Sequence, residues 1–268
     1  MSSELVPTGL DYDRQLVLVD GNDDFVSQRQ EPKLAAVEVR IVDGSLSVII
    51  PRIGQTSFEL EDYDLAAARP ISIFEKMGSG APQSTEASQL FSDYLGYSVE
   101  LLHNVEPRPI REDCRVDGAS SSSAFADGYP LLIAAIASLR TVQAIEPSVT
   151  MDRFRPNIVI EGDMAAYSED YWRKIRIGSL QALVVRACAR CAIPNVDQST
   201  GIKAKGSPVT RALSKERNGY DHIGGGRGLF FGQNLIHDLG FVGSIKIGDS
   251  VVIESQSDQP NIDLIEPS

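Results

Sequence analysis

The 268-residue sequence has little of what marks secreted, membrane or zinc proteins. It holds three cysteines, an odd number that does not make a disulfide framework, and three scattered histidines, which with one close cysteine pair are too few for a zinc site. The longest nearly apolar run, Pro130 to Leu139, is too short to span a bilayer. The N-terminal residues MSSELVPTGL lack the basic region and apolar core of a signal peptide. These absences predict a cytoplasmic protein with reduced thiols.

Positive charge is also scarce. The formal net charge of −12 argues against a nucleic-acid partner and against binding to an anionic membrane surface. The cations that are present cluster, with five of them between Lys203 and Arg217, and with Arg153 and Arg155 on either side of one phenylalanine. Such clusters can hold a small anionic ligand or be solvated loops, and charge alone favours the loops.

Short runs of β-forming residues dominate the chain. Residues 9 to 60 read as a meander, in which Asp43-Gly44 is a strong hairpin signal between runs at 36–42 and 46–50. Two further hairpins are predicted from the same pattern, at 175–177 with 180–186 and at 244–247 with 250–253. The regular turn spacing predicts a barrel or sandwich rather than βαβ units.

Helical patterns are few. One helix is predicted from Glu86 to Leu95 with Thr85 as its cap, and another from Leu131 to about Gln143, opened by Pro130. Ser168 is expected to cap a short helical turn, with Glu169 and Asp170 in the favoured first-turn positions. The proline-rich stretch at 105–111 is the expected domain boundary.

The stretch from Leu183 to Gly201, LVVRACARCAIPNVDQSTG, carries the clearest chemistry. Cys188 and Cys191 alternate with Arg186 and Arg190. Nearby positive charge favours the thiolate, which is the form that attacks or ligates a soft metal. The plainer alternative is a pair of buried, inert thiols. Against it, the two arginines are costly to bury unless they meet anions.

Two other segments can contact an anion. In Arg153-Phe154-Arg155-Pro156-Asn157, Pro156 is expected to restrict Arg155 to an extended backbone, which aims its guanidinium fork rigidly. An ordinary strand start with exposed arginines explains the same residues equally well. In GLDYDR, Arg14 stands at the start of a strand and by itself reads as part of a surface ion-pair cluster.

Taken in order, several segments resemble the MOSC proteins that carry an N-terminal MOSC β-barrel domain, a family that includes the mitochondrial amidoxime-reducing component and bacterial relatives. The segments are GLDYDRQLVLVD, SQRQEPKL, FADGYPLLIAAIASL, RFRPNIVIEG, EDYWRKIRIGSLQALVVRACARCAIPNVDQSTG, LFFGQNL and IKIGDSVVI. The resemblance implies a mainly β fold with some helices. It also implies an N-terminal MOSC β-barrel domain at 1–106, a MOSC domain at 107–258 and a tail at 259–268.

The resemblance further implies a molybdenum cofactor, a phosphate-bearing pterin dithiolene (Mo-molybdopterin). Cys191 would ligate the metal, and Asp197 is a candidate proton relay from its position alone. The cofactor would be held by residues of the matched motifs and their neighbours, which are Arg14, Arg153, Arg155, Asn157, Ala189 and Arg190. Ala189 stands where relatives often have serine, and the eight residues before Gly9 lack a Lys-Ser pair that helps to seat the cofactor in relatives. The family is also associated with pyridoxal phosphate binding.

The activity implied is a molybdenum-dependent reduction of small N-hydroxylated compounds by removal of their oxygen. No four-cysteine iron–sulfur run is present, so a separate electron-donor protein of the ferredoxin or flavoprotein type is expected. The competing hypothesis is non-catalytic, namely a carrier of the cofactor or of persulfide sulfur on Cys191. A family member that binds nothing is a third reading.

Overall fold

A computed structural model describes residues 2–73, 76–110, 121–221, 226–238 and 240–265. The chain divides into two compact units. The larger unit comprises Met1–Asp13, Pro109–Val196 and Lys203–Ser268, and the smaller unit comprises Arg14–Arg108 and Asp197–Ile202. The domain limits expected near residues 106 and 258 remain predictions. No helix among the described residues is long and apolar enough to cross a membrane.

Strands form most of the regular structure, which confirms the predicted mainly β fold. In chain order they are β1 (Ser2–Val6), β2 (Gly9–Leu10), β3 (Leu16–Asp20), β4 (Phe25–Val26), β5 (Glu38–Val42), β6 (Ser45–Ile50), β7 (Gly54–Glu59), β8 (Arg69–Ile73), β9 (Lys76–Pro82), β10 (Val99–Asn104), β11 (Arg108–Pro109), β12 (Ser122–Ser123), β13 (Leu131–Ala135), β14 (Ile158–Ile160), β15 (Trp172–Ile177), β16 (Leu180–Ala189), β17 (Asn218–Asp221), β18 (Arg227–His237), β19 (Gly243–Lys246), β20 (Val251–Gln256) and β21 (Ile262–Leu264).

The helical elements in the described parts of the chain are α1 (Thr85–Leu95), α2 (Ile136–Ile145) and α3 (Pro208–Glu216), with short 3-10 turns at Pro32–Ala36, Leu65–Ala67, Met151–Phe154, Ser168–Tyr171 and Ile193–Asn195. The predicted helix near Glu86 is confirmed, but its cap is Ser84 and not Thr85. The Ser84 hydroxyl accepts a hydrogen bond from the Ala87 amide, and Gly96 ends the helix at φ 88°.

The smaller unit contains a five-stranded sheet in the order β4-β3-β10-β9-β8 and a three-stranded meander, β5-β6-β7. The hairpin predicted at Asp43-Gly44 joins β5 to β6, and both turn residues have positive φ, 52° and 84°. The apolar face of β6 packs with α1 and β10 in one core cluster, in which Val48 and Ile50 are each 2% exposed. This unit therefore gains its stability from its own core.

The larger unit is built on an eight-stranded sheet with the path β14-β13-β18-β16-β15-β20. Off this path, β17 pairs with β18, and β21 pairs with β17. The strand β16 is central, since it pairs antiparallel with both β15 and β18. A second sheet in this unit has the order β19-β1-β2. The predicted hairpin of β15 and β16 is confirmed, and it delivers the cysteine segment at the end of β16.

The helix predicted from Leu131 is wrong over its first five residues. Residues Leu131–Ala135 form β13, and the helix α2 begins at Ile136. All five strand residues are buried: Leu131, Ile133 and Ala135 pack in one core cluster and Ala134 in another, so both faces of the strand are covered. A run that is buried on both faces lacks the alternation of a half-exposed strand, so its pattern cannot be distinguished from that of a buried helix.

The C-terminal hairpin prediction gives the correct strands with the wrong partners. The strand β19 pairs with β1, and β20 pairs with β15. The residues before Gly9, which carry no Lys-Ser pair, do form a strand, β1, and its partners are β19 and β2. A turn signal fixes where a strand stops but does not fix its partner when other strand edges compete.

Glu169 and Asp170 lie in the first turn of the 3-10 helix Ser168–Tyr171, as predicted, but the residue at the N-cap is Tyr167 and not Ser168. Both acidic residues are buried. Glu169 and Asp170 are 0% and 3% exposed, and Asp170 forms an ion pair with Arg217, 2.7 Å from Oδ2 to Nη2. Gln233 donates to the other Asp170 oxygen and accepts from Asn261. Arg217 is 1% exposed, so it does not belong to the surface of the basic segment that begins at Lys203. Burial raises the pKa of Asp170, and the guanidinium of Arg217 opposes that shift.

Candidate functional site around Cys191

The site begins where β16 leaves its sheet. Directly after the last residue of β16, the Arg190 amide donates to the Leu229 carbonyl of β18 at 2.7 Å. Four residues later, Pro194 lies in the 3-10 turn Ile193–Asn195, which ends the strand direction. Between them Cys191 is exposed, and its sulfur accepts a hydrogen bond from the Ile193 amide at 3.5 Å. The fold therefore presents this thiol at the surface of the larger unit.

The loop after Cys191 is anchored by a residue that sequence analysis did not single out. Asn195 is 1% exposed, and its Oδ1 accepts from the amides of Val209 and Thr210 at the start of α3. Its Nδ2 donates to the Thr210 hydroxyl at 2.8 Å. Because Ser207 makes no side-chain cap, Asn195 performs that role from a distance in sequence. The only signal in the sequence was an asparagine that follows a proline.

The two arginines beside the cysteines have different partners. Arg186 forms an ion pair with Asp221, whose side chain is 2% exposed. Arg190 donates from Nη1 to the Cys188 sulfur at 2.9 Å and from Nη2 to the Phe154 carbonyl at 2.7 Å. Both described cysteines are free thiols, and Cys114 lies outside the described residues. The cationic contact expected for a thiol is thus made to Cys188.

A second segment reaches the same place through these contacts. The 3-10 turn Met151–Phe154 holds Phe154 at 0% exposure, where its ring stacks on Phe231 at 3.9 Å. Arg153 is 7% exposed, and its Nη1 donates to the Pro194 carbonyl at 3.5 Å. Each segment therefore donates one arginine side chain to a backbone carbonyl of the other: Arg190 to Phe154, and Arg153 to Pro194. These contacts bring together parts of the chain that lie more than thirty residues apart.

The backbone of Arg155 differs from the prediction. It has φ 55° and ψ 43°, which is the left-handed region, whereas Pro156 was expected to keep it extended. A non-glycine residue in this region costs on the order of 1–3 kcal/mol and persists where the surroundings hold it. The Arg155 amide donates to the Asp152 carbonyl at 3.0 Å, which closes the turn. The exposed side chain of Arg155 is therefore presented by a strained and restrained backbone.

Arg14, in the smaller unit, shares this conformation at φ 54° and is half-buried. Eight non-glycine residues in the described chain have positive φ, and two of them are arginines that the family resemblance assigns to the cofactor. No pattern in the sequence announced this strain. The left-handed backbone is an independent reason to treat Arg14 and Arg155 as functional candidates.

Asn157 is used mainly within the fold. Its Oδ1 accepts from the Leu132 amide at 2.8 Å, and its Nδ2 donates to Asp13 Oδ2 at 2.6 Å. One Nδ2 hydrogen remains for another acceptor. Ala189, the last residue of β16, is exposed and pairs with Phe230. The site roles predicted for Asn157 and Ala189 remain predictions.

Asp197 belongs to the smaller unit and closes a tight loop. Its Oδ1 accepts from the amides and the hydroxyls of Ser199 and Thr200, at 2.7 to 3.1 Å. These hydrogen bonds lower the pKa of Asp197 to about 2. The carboxylate is thus ionised at neutral pH, and the geometry gives it a role in holding the loop. Its role as a proton relay remains a prediction.

The donor set fits a metal that arrives with most of its own ligands. Within the ranges that the structure describes, no group of three or more His, Cys, Asp or Glu side chains is placed to hold a metal ion. The exposed thiol of Cys191 can supply one soft ligand, which suits molybdenum on a dithiolene. The exposed guanidinium of Arg155 can grip a phosphate by its fork. The residues present therefore fit a phosphate-bearing molybdenum cofactor.

Comparison with known protein families agrees with this mainly β fold. The family described as MOSC domain matches residues 120–252, and the one described as MOSC N-terminal beta barrel domain matches residues 1–98. The two matches together cover most of the chain. The chain therefore belongs to the MOSC proteins with an N-terminal MOSC β-barrel domain, which confirms the resemblance found in its sequence.

Individual proteins similar to this chain are named mitochondrial amidoxime-reducing component 1 or 2. Mitochondrial amidoxime reducing component 2 of Macaca fascicularis is 29% identical over 250 residues, which cover 89% of this chain and 72% of that protein. Mitochondrial amidoxime-reducing component 1 of Mus musculus is 29% identical over 272 residues, or 95% and 77% of the two chains. The Homo sapiens component 1 is 28% identical over 255 residues, or 91% and 73%. A solution structure of a Bordetella bronchiseptica protein matches 37% of this chain and 84% of that one, at 14% identity and with a TM-score of 0.31.

Proposed function

We propose that this protein is a molybdenum-cofactor-dependent oxidoreductase that removes oxygen from small N-hydroxylated compounds such as amidoximes. The observation that carries the proposal is an exposed thiol, Cys191, in a MOSC domain, held by paired arginine contacts to the segment that presents Arg155. The names of the similar proteins supply the substrate class.

Each candidate residue has a role that follows from its chemistry. Cys191 would lose its proton and ligate the metal, and the loop fixed by Asn195 would hold its sulfur at the surface. The fork of Arg155 would hold the anionic phosphate or the polar pterin edge, and the cofactor contact of Arg14 stays a prediction of the family resemblance. Ala189 would leave space where a serine would add one hydroxyl contact. When bound, the cofactor would supply two-electron chemistry and accept the substrate oxygen.

The overall reaction consumes two electrons and two protons and yields the reduced nitrogen compound and water. We expect the electrons from a separate protein of the ferredoxin or flavoprotein type. The role of Asp197 as a proton relay stays a prediction that rests on its position after Cys191. A cytoplasmic location and pyridoxal phosphate binding stay predictions of the sequence and of the family.

The test is reduction of benzamidoxime by protein purified from cells that synthesise the cofactor, with reduced methyl viologen as donor. We expect benzamidine to form, and we expect Cys191→Ala to abolish both activity and bound molybdenum. Gln181→Ala, at an exposed position of β16, is the matched control and should retain both. Full activity in the Cys191→Ala protein would remove the ligand role.

The exposure of Cys191 also supports the second candidate function, a carrier of cofactor or of persulfide sulfur. The same purified protein separates the two. Stoichiometric molybdenum with amidoxime reduction supports the enzyme. Bound cofactor without turnover, or cyanide-releasable sulfur without metal, supports the carrier.

A further inference from the structure

Arg190 connects three parts of the larger unit, through its backbone amide and its guanidinium. Its amide is hydrogen-bonded to Leu229 of β18, and its Nη2 holds the Phe154 carbonyl at 2.7 Å. Its central carbon lies 5.6 Å from the centroid of the Phe154 ring. The other terminal nitrogen, Nη1, donates to the sulfur of Cys188 at 2.9 Å. Cys188 therefore contacts the residue that connects the cysteine segment to the segment of Arg155.

The sulfur of Cys188 is well suited to fix this side chain. Cys188 is half-buried and lies on β16, where its neighbours Ala187 and Ala189 pair with β18 on either side of a β-bulge. Ala187 is 1% exposed, so the backbone beside Cys188 belongs to the core. An arginine side chain has many rotamers, and an acceptor fixed to a paired strand selects one of them. The thiol thus orients a guanidinium that could otherwise turn away.

The consequence reaches the strained residue. Phe154 is the last residue of the 3-10 turn, and the next residue, Arg155, has φ 55°. A conformation of this kind persists only where several contacts hold it. The hydrogen bond from Arg190 to the Phe154 carbonyl is one such contact, and it depends on the orientation that Cys188 gives to Arg190.

We propose that Cys188 is a positioning residue of the candidate site. Its sulfur holds Arg190, which holds the Phe154 carbonyl and thereby keeps Arg155 in its left-handed conformation. The structural part of this proposal concerns the protein alone. The part that concerns cofactor retention rests on the proposed function.

The structural part is tested by hydrogen exchange of the full-length, cofactor-free protein, followed by mass spectrometry of the peptide spanning residues 151–157. We expect Cys188→Ala to speed exchange in this peptide about tenfold, the effect of losing one hydrogen bond to a charged group. Cys188→Ser keeps an acceptor and should stay within about threefold of the wild type. Cys191→Ala, whose sulfur meets the Ile193 amide, is the matched control and should leave the peptide unchanged. Unchanged exchange in Cys188→Ala would overturn the proposal.

A double-mutant comparison separates positioning from simple loss of packing. Arg190→Lys replaces the planar fork by a point charge that cannot hold both acceptors in one plane. If Cys188 acts through Arg190, the double variant should exchange no faster than the faster of the two single variants. Additive effects would contradict the coupling. Urea midpoints of all variants, followed by the fluorescence of Trp172, show whether a variant has lost its fold.

The cofactor part uses molybdenum content and the rate of cofactor loss after purification. We expect Cys188→Ala to lose cofactor several-fold faster than the wild type, with rescue in Cys188→Ser. Retention equal to the wild type would overturn this part. If the wild type itself holds no molybdenum, the proposed function fails, while the exchange experiment still decides the role of Cys188.

Discussion

Replacing Asp170 by asparagine should destabilise the larger unit by about 3–5 kcal/mol, since it leaves a buried guanidinium without a counter-charge. The side chains of Asp170 and Arg217 are 5% and 2% exposed and are 2.7 Å apart. Both oxygens of Asp170 accept from donors, Arg217 on one side and Gln233 on the other. The amide of asparagine must therefore turn its own donor group toward one of these donors, which adds an unmet hydrogen bond.

The chain offers a convenient probe for this measurement. Its single tryptophan, Trp172, is 3% exposed and lies two residues beyond Asp170 in the larger unit. Its fluorescence in urea therefore reports the unfolding of that unit. With a denaturant slope of about 2 kcal/mol per molar, the expected loss lowers the urea midpoint by roughly 1.5–2.5 M.

Two comparisons make this prediction decisive. Asp163→Asn, at an exposed position of the same unit, should change the stability by less than about 0.5 kcal/mol. Combining Asp170→Asn with Arg217→Met removes the isolated charge, and should recover a substantial part of the loss. A loss below about 1 kcal/mol for Asp170→Asn, or no recovery in the double variant, would refute the argument that the buried charge requires its partner.

Three further changes test other parts of the structure. Burial raises the pKa of Glu169 in the folded state. The wild type should therefore lose stability as the pH rises from the unfolded-state pKa, about 4.3, to the folded-state pKa. Glu169→Gln should remove that trend in urea midpoints measured from pH 4.5 to 8. Hydrogen bonds lower the pKa of Asp197 to about 2, so Asp197→Asn should have a lower melting temperature than the wild type at pH 7. The difference in melting temperature between the two proteins should narrow as the pH falls below about 4. An equal difference at pH 3 and pH 7 would contradict this account. Ala189→Ser adds a hydroxyl at an exposed strand end and should slow cofactor loss, which molybdenum analysis after dialysis would show.

Much of the fold follows from local patterns. The turn at Asp43-Gly44, the strand pair β15 and β16, and α1 with its glycine end all lie where their sequences place them. These elements depend on turn chemistry and on short-range periodicity, both of which a sequence states directly. The errors fall where burial decides. The segment at Leu131 is a strand that pairs with β14 and β18 and is covered on both faces by core residues. The strands near the C-terminus pair with β1 and β15 and not with each other.

The site divides in the same way. The cysteine segment, the arginine-rich segment and their family were recognisable as strings of residues, because motif residues are contiguous. The contacts of Arg190 and Arg153 between those segments, the positive φ of Arg155 and the contact of Cys188 with Arg190 were not recognisable. A side chain that joins residues 36 or 41 positions apart leaves no periodic trace in the chain.

By itself, the sequence determined the family and the mainly β character, because both are encoded in local residue types and spacing. The resemblance to that family then singled out Cys191 as the candidate ligand. Only the tertiary structure decided which thiol meets a guanidinium, which acidic residues are buried, and how Arg155 is held. Those outcomes depend on the competition among distant partners for burial and hydrogen bonds, and that competition is resolved only when the chain has folded.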